Sequence, residues 1–311
     1  MNATFDAPRF QNDQAAREYL EKLFWPEGPV CPHCGVIGHA YKTKREGVFR
    51  CAEAVCRKDF TVTMKTVMER SKIALHKWLQ AFHLMCSSKK GISAHQLHRT
   101  LGIGYEAAWF MCHRIREAMR DGGLSLLGGE GKVVEADETY FGKAETLHVS
   151  KHRRGRPYTK QGHAWNNRPI VSVLERGGNV RSFHMAVVTK QQVQDIVKAN
   201  VAKESRLHTD ESNLYKGADQ AFASHETVKH SAKEYARGDV NTNSVEGYFS
   251  IFKRGMKGVY QHCDEKHLHR YLAEFDFRYN HRSKLGFSDG DRAALAVKNA
   301  AGKRLTYEGR H

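Results

Sequence analysis

The sequence predicts a chain of mixed α/β (α+β) class, in which a small metal-stapled unit and a helical segment precede a larger body of alternating strands and helices. Three observations predict it. Four of the seven cysteines fall in two close pairs before residue 60. From Ser71 to Arg120 the apolar residues recur at helical spacing. Beyond a glycine-rich joint, DGGLSLLGGEGK, the apolar period shifts toward strands, and the elements then follow in the order ββ(β)αβαβα.

Taken in order, residues 1–70 hold a short helix, Asp13 to Leu23, with Ala16, Tyr19, Leu20 and Leu23 on one face, and then the cysteine pairs with β-like pieces VFRC and DFTVT between and after them. Residues 71–122 read as three helices. The second starts at Ser93 as N-cap, and the break LGIGY separates it from the third, which is the layout of a helix-turn-helix; a plain helical subdomain is the alternative. Residues 130–285 form the α/β body: KVVEADETYF, then PIVSVLERGGNVRSFHMAVV with GGN as a hairpin turn, a helix from Gln191, the strands SRLHTD and ETVKHS, a helix from about Asn243, and a last one across HLHRYLAEFDFRYN. Residues 286–311 read as a C-terminal tail.

The charge balance selects the partner. With 50 Lys and Arg against 34 Asp and Glu, the net charge is +16, an excess that a polyanion matches best. Nucleic acid is the expected partner. A membrane-surface protein would concentrate its cations on one amphipathic helix or tail, whereas here they spread from Lys42 to Arg304. No apolar run approaches the roughly 20 residues that span a bilayer, and MNATFDAPRF lacks a signal-peptide pattern, so a cytoplasmic, nucleoid-associated protein is expected.

Cys31-Pro-His-Cys34 and Cys51-Ala-Glu-Ala-Val-Cys56, sixteen residues apart, have the spacing of two turns that close a tetrahedral zinc shell. Such a shell stabilises a segment too small for its own core. Four unrelated buried cysteines are the alternative, and His33 or His39 could replace a ligand. With all four positions filled by protein, this metal is structural. Cys86, Cys112 and Cys263 read as buried small hydrophobes.

Three acids carry the second constellation: Asp137 in VVEADETYF, Asp210 in LHTDES and Glu246 in NTNSVEGYF. Two strand-borne aspartates and a helix-borne glutamate can converge at one end of a sheet and hold two divalent ions for phosphoryl transfer. Lys253 stands seven residues after Glu246, two helical turns or roughly 10.5 Å along the same face, where a cation can meet a phosphate; a solvated lysine is the alternative. The segment from Lys143 to Arg168 interleaves Arg153, Arg154, Arg156 and Lys160 with Tyr158, His163 and Trp165, a composition suited to neutralising phosphates and stacking on bases, or else a solvated loop. Arg254 extends the candidate DNA contacts. His208 is a candidate neighbour of the acids, and Asn243 is expected to cap its helix.

The strings VEADETYFG, HTDES..Y and NTNSVEGYFSIFKRG..GVYQH...KHLHRYLAEFDFRYN resemble the signature blocks of DDE transposases of bacterial insertion sequences, specifically insertion-sequence family 1595. The resemblance extends in the same order to CPHCG, to SKIALHKWLQAFHLMCSSKKGISAHQLHRTLGI and to AWFMCHRIREAM, and so covers nearly the whole chain. It implies an RNase H-like catalytic domain behind a zinc ribbon and a helix-turn-helix-like DNA-binding segment. It further implies that Asp137, Asp210 and Glu246 bind Mg2+ or Mn2+, that Lys253 contacts the DNA end, and that a homo-oligomer works on double-stranded DNA. Family members often have His where Asn241 stands, which leaves that position without an assigned role. Two rivals remain: an RNase H-like nuclease that cuts without joining, and a non-catalytic zinc-ribbon DNA-binding regulator.

Overall fold

The structure is a computed structural model that describes residues 4–120, 125–144, 167–232, 234 and 236–306. Two compact units make up the chain, Met1–Arg120 together with Phe287–His311, and Asp121–Gly286. In the first, two short 3-10 turns, Thr4–Asp6 and Pro8–Phe10, lead into α1 (Asp13–Phe24), whose N-cap Asn12 accepts the Ala15 N–H and which buries Ala16 and Leu20. Three short antiparallel strands follow, β1 (Ala40–Lys42), β2 (Phe49–Cys51) and β3 (Asp59–Phe60), in that spatial order. Their core is Cys31, Phe49, Cys51 and Phe60, with Trp25 packed edge-on against Phe49. So little apolar mass does not hold a fold alone.

The helical segment comprises α2 (Leu75–Ser87), α3 (Ala94–Leu101) and α4 (Tyr105–Met119). Ser93 caps α3 by accepting the Gln96 N–H, and Gly102 ends it in the left-handed region at φ 58°, which glycine adopts without a Cβ clash. Only three residues, 102–104, then turn the chain into α4. The outline is that of a helix-turn-helix.

In the second unit the strands are β4 (Val133–Lys143), β5 (Asn167–Glu175) and β6 (Val180–His184), then, after helix α5 (Lys190–Asn200), β7 (Arg206–Asp210) and β8 (Ser224–Val228). Helices α6 (Asn243–Gly255) and α7 (Leu268–Asn280) complete it. The spatial order is β6-β5-β4-β7-β8; β4, β5 and β6 pair antiparallel, while β4–β7 and β7–β8 are parallel. That order and polarity define the RNase H-like sheet. The β5–β6 hairpin turns at Gly177 with φ 78°, where the GGN signal lies.

Side-chain alternation sorts the sheet into two faces. Val134, Ala136, Val171 and Val173 pack with Val193 and Val197 of α5. Ile170 and Leu174 pack on the other face with Val245, Tyr248, Phe249 and Phe252 of α6 and Leu272 and Phe275 of α7. By parity, Glu135 and Asp137 of β4 therefore lie on the α6 face and Glu138 on the α5 face.

Two boundaries differ from the sequence reading. The segment read as a tail contains α8 (Asp289–Lys298), opened by a capping box between Ser288 and Asp291 and packed on α2. Its buried face is made of Ala293, Ala296 and Val297, small residues that permit close approach but leave a weak hydrophobic signal, and the buried Arg292 donates from Nε to the Cys86 carbonyl at 3.0 Å. The cysteine-bearing segment and the three helices, read as separate, belong to one unit closed by this returning helix. Deleting residues 287–311 is expected to uncover Leu79 and His83, which line a pocket with Ala293 and Val297, and to lower the thermal midpoint of the first unit. An unchanged calorimetric melt would restore the tail reading.

Candidate active site and metal centre

The four paired cysteines converge. Cys31 Sγ lies 3.8 Å from Cys56 Sγ and Cys34 Sγ 3.6 Å from Cys51 Sγ, and all four sulfurs fall within 4.8 Å of one another. A disulfide would need about 2.05 Å. Tetrahedral zinc with Zn–S bonds of about 2.3 Å sets sulfurs about 3.8 Å apart along each edge. The donor set and its spacing fit zinc. Burial would raise the Cys31 thiol, but N–H donors of Cys34 and His33 and the neighbouring sulfurs overcome it and bring it down to about 7, while burial pushes Cys51 up. His33 and His39 do not join the shell: His33 meets the Asp59 carbonyl and His39 the Glu53 carboxylate. Cys86 and Cys112 are buried and Cys263 half-buried.

The acidic site sits where β4 and β7 part. Their parallel register pairs Glu135 with His208, so continuing it sets Asp137 opposite Asp210, on the same face. One oxygen each of Asp137, Glu138 and Asp210 lies within 4.8 Å of the others. At an effective dielectric of 20, two ionised carboxylates at that separation repel by roughly 3 kcal/mol. Burial, followed by the charges of Asp210, Glu138 and Glu246, pushes Asp137 up to about 8. A divalent cation is what such a cluster requires in order to ionise.

Glu246 stands outside the 4.8 Å set, exposed on the first turns of α6, yet near enough for its charge to act on Asp137. Its Oε1 accepts from the Thr242 hydroxyl at 2.8 Å, which fixes its rotamer. Lys253 is half-buried two turns along the same helix, and Arg254 folds back to donate to the Ser250 carbonyl at 3.1 Å. Arg153, Arg154, Arg156, Lys160 and Trp165 lie outside the described residues.

Sequence reasoning missed four residues here. Glu138 is held on the α5 face by the hydroxyls of Tyr215 at 3.0 Å and Ser212 at 3.1 Å. Glu135, fully buried, accepts from the backbone N–H groups of Ser244 at 2.8 Å and Val245 at 3.0 Å, and Arg176 Nε donates to its other oxygen at 2.9 Å. Thr242, also buried, is the fourth. One signal was available: Glu135 shares the parity of Asp137 in the same strand. Asn243, expected to cap α6, is instead its first residue; Asn241 Oδ1 accepts its N–H at 3.2 Å. His208 is buried and meets Arg176 at 3.4 Å and Glu226 at 3.4 Å, so it belongs to the support of the site.

Comparison with known proteins decides the family. Residues 126–280 match the family described as ISXO2-like transposase domain, and residues 11–59 match the transposase zinc-ribbon domain of the same insertion-sequence family. The chain belongs to the DDE transposases of insertion-sequence family 1595. This transposase is 26% identical over 279 residues to a protein named "Uncharacterized protein in transposable element ISH50" from Halobacterium salinarum, covering 86% of this chain and 91% of that one. Among solved structures, the Mos1 strand transfer complex overlaps 74% of this chain and 79% of its own at 9% identity, with a TM-score of 0.23, too loose to add to the strand order. The transposase is thus an enzyme that acts on DNA, with a divalent metal in catalysis and a structural zinc. Among the described residues no helix is long and apolar enough to cross a membrane.

Two outcomes follow for the metals. Chelating zinc, or Cys31→Ser, is expected to unfold the ribbon, seen as loss of one zinc per chain by elemental analysis together with loss of the tryptophan signal reporting Trp25 packing. The second concerns pH. With its pKa raised to about 8, folded Asp137 keeps a proton that the unfolded chain releases near pH 4, so metal-free stability falls as pH rises from about 4 to 8. A bound cation displaces that proton, so Mg2+ affinity is expected to rise by up to about tenfold per pH unit toward pH 8 and then level off. Calorimetry in buffers of different ionisation enthalpy is expected to count close to one proton released per site at pH 7; no release would contradict the assignment.

Proposed function

We propose that Asp137, Asp210 and Glu246 are the carboxylates that hold the divalent ions of this transposase. The observation that supports this reading best is their common face: Asp137, two residues past the last β4–β7 pair, and Asp210, the last residue of β7, lie on the same side of the sheet, and α6, which carries Glu246, covers that face. Glu138 is as close to the aspartates, but it points to the opposite layer and is engaged by Tyr215 and Ser212. It steadies the Asp210 loop.

When bound, Mg2+ or Mn2+ supplies the positive charge that activates an attacking oxygen and stabilises a leaving one. Asp137 and Asp210 would hold the ions from β4 and β7, Glu246 would add its carboxylate from α6, and Lys253 would steady the phosphate of the element end. In the first step water attacks the phosphodiester and the 3′-oxygen leaves, freeing a 3′-OH. In the second, that hydroxyl attacks a target phosphodiester and displaces its 3′-oxygen. Both are in-line displacements, and no bond to protein forms.

The arrangement of parts fits this chemistry. Helices α2 to α4 and the zinc ribbon bind the element ends, the segment from Lys143 to Arg168 adds phosphate contacts, and the exposed Arg254 follows Lys253 on α6. Because an element has two ends, a homo-oligomer on DNA brings one site to each. The protein works on nucleoid DNA in the cytoplasm.

Labelled element ends incubated with a plasmid target are expected to yield joined products; cleavage alone would make the protein a nuclease. Asp137→Asn, Asp210→Asn and Glu246→Gln are each expected to lower both steps by about 10³-fold with DNA binding intact. Lys253→Ala is expected to weaken end binding and reduce the salt slope by about one. Unchanged catalysis in any of the three acid variants would remove that residue from the site.

A further inference from the structure

The position of Glu246 is set by something other than its own helix. Helix α6 begins without a conventional side-chain cap: Thr242, at the N-cap, turns its hydroxyl to Glu246 instead. The N–H groups of Ser244 and Val245, which a capping residue would normally satisfy, both point to one oxygen of Glu135 on β4, at 2.8 and 3.0 Å. That carboxylate lies two residues before Asp137 on the same strand face. A carboxylate there also complements the positive end of the helix dipole.

Arg176, in the β5–β6 turn, completes the device. Its Nε donates to the second oxygen of Glu135 at 2.9 Å, Nη1 to the Asp239 carbonyl at 2.9 Å, and Nη2 to the carbonyl and side-chain oxygen of Asn241 at 3.1 and 3.2 Å. One guanidinium therefore holds the approach to α6 while the carboxylate it pairs with holds the first turn. Asn241 passes the constraint on by accepting the Asn243 N–H.

The geometry points to Glu135 and Arg176 as positioning residues that fix Glu246 relative to Asp137, so that the metal shell is assembled before DNA arrives. This rests on Glu246 being the third metal-binding acid. The chemistry demands a carboxylate at 135: both oxygens accept hydrogen bonds, from the helix on one side and from Arg176 on the other. Glutamine offers a single acceptor oxygen and sets an N–H against one of those donors. Groups that orient metal ligands without touching the metal typically contribute 10- to 100-fold in affinity.

The test measures Mn2+ binding to the full chain without DNA, by calorimetry, for wild type, Glu135→Gln, Arg176→Met, the double variant and Glu246→Gln. Each single clamp variant is expected to weaken Mn2+ binding by about tenfold or more, the double variant no further than the worse single, and excess Mn2+ to restore cleavage. End binding in Ca2+ is expected to stay unchanged, which a general folding defect would not allow. Arg176 is partly exposed, so Arg176→Met remains informative if Glu135→Gln does not fold. Mn2+ affinity within twofold of wild type for Arg176→Met, with Glu246→Gln weakened, overturns the clamp and leaves the triad standing. Unchanged affinity for Glu246→Gln overturns the triad and the clamp with it.

Discussion

A carboxylate without solvent exposure, Glu135, holds the catalytic unit together at its centre. Burying an ionised carboxylate costs several kcal/mol unless its oxygens are paired and hydrogen-bonded. Here the cost is offset by the paired guanidinium of Arg176 and by two helix N–H groups that would otherwise be orphaned. Each partner needs the other: the helix needs an acceptor and the acid needs donors. Dispersion contacts alone would leave α6 free to slide along an apolar face of Ile170 and Leu174, whereas these directional bonds fix its height.

Strand β4 is consequently the axis of the site. It is the central strand, paired antiparallel on one side and parallel on the other, and three consecutive chemical tasks fall on it. Glu135 anchors the helix, Asp137 joins Asp210 in the acidic cluster, and Glu138 reaches to the opposite layer, where Tyr215 and Ser212 hold it. The parallel neighbour β7 ends at Asp210, beside the middle of the longer β4, and so delivers that carboxylate next to Asp137. Carboxylates are crowded where the strands part, and the resulting repulsion favours cation binding.

Much of this was legible in the sequence, for identifiable reasons. The paired cysteines have a spacing that few arrangements other than a metal shell explain, and Ser93 is a local signal that acts as a cap whatever surrounds it. The sheet elements could be read because strand alternation and helical period differ so clearly. What escaped depended on contacts between elements. A Glu in the string VVEADETYF looks like any strand acid until α6 is known to lie over it. Asn243 is a good cap by type, but Asn241 and Glu135 take the donors it would have used. Helix α8 is short and alanine-rich, so its role against α2 is visible only in three dimensions.

The returning helix also says something about how the chain is made. Because α8 completes the first unit, the catalytic unit is, in sequence, an insertion within the unit that carries the zinc ribbon and the helix-turn-helix outline. Domains usually fold in the order in which they leave the ribosome. Here the order is inverted: residues 121–286 can finish folding while the earlier unit still waits for its last helix. A chain cut short by incomplete synthesis would therefore carry a finished second unit behind a first unit that still lacks the helix packed on α2.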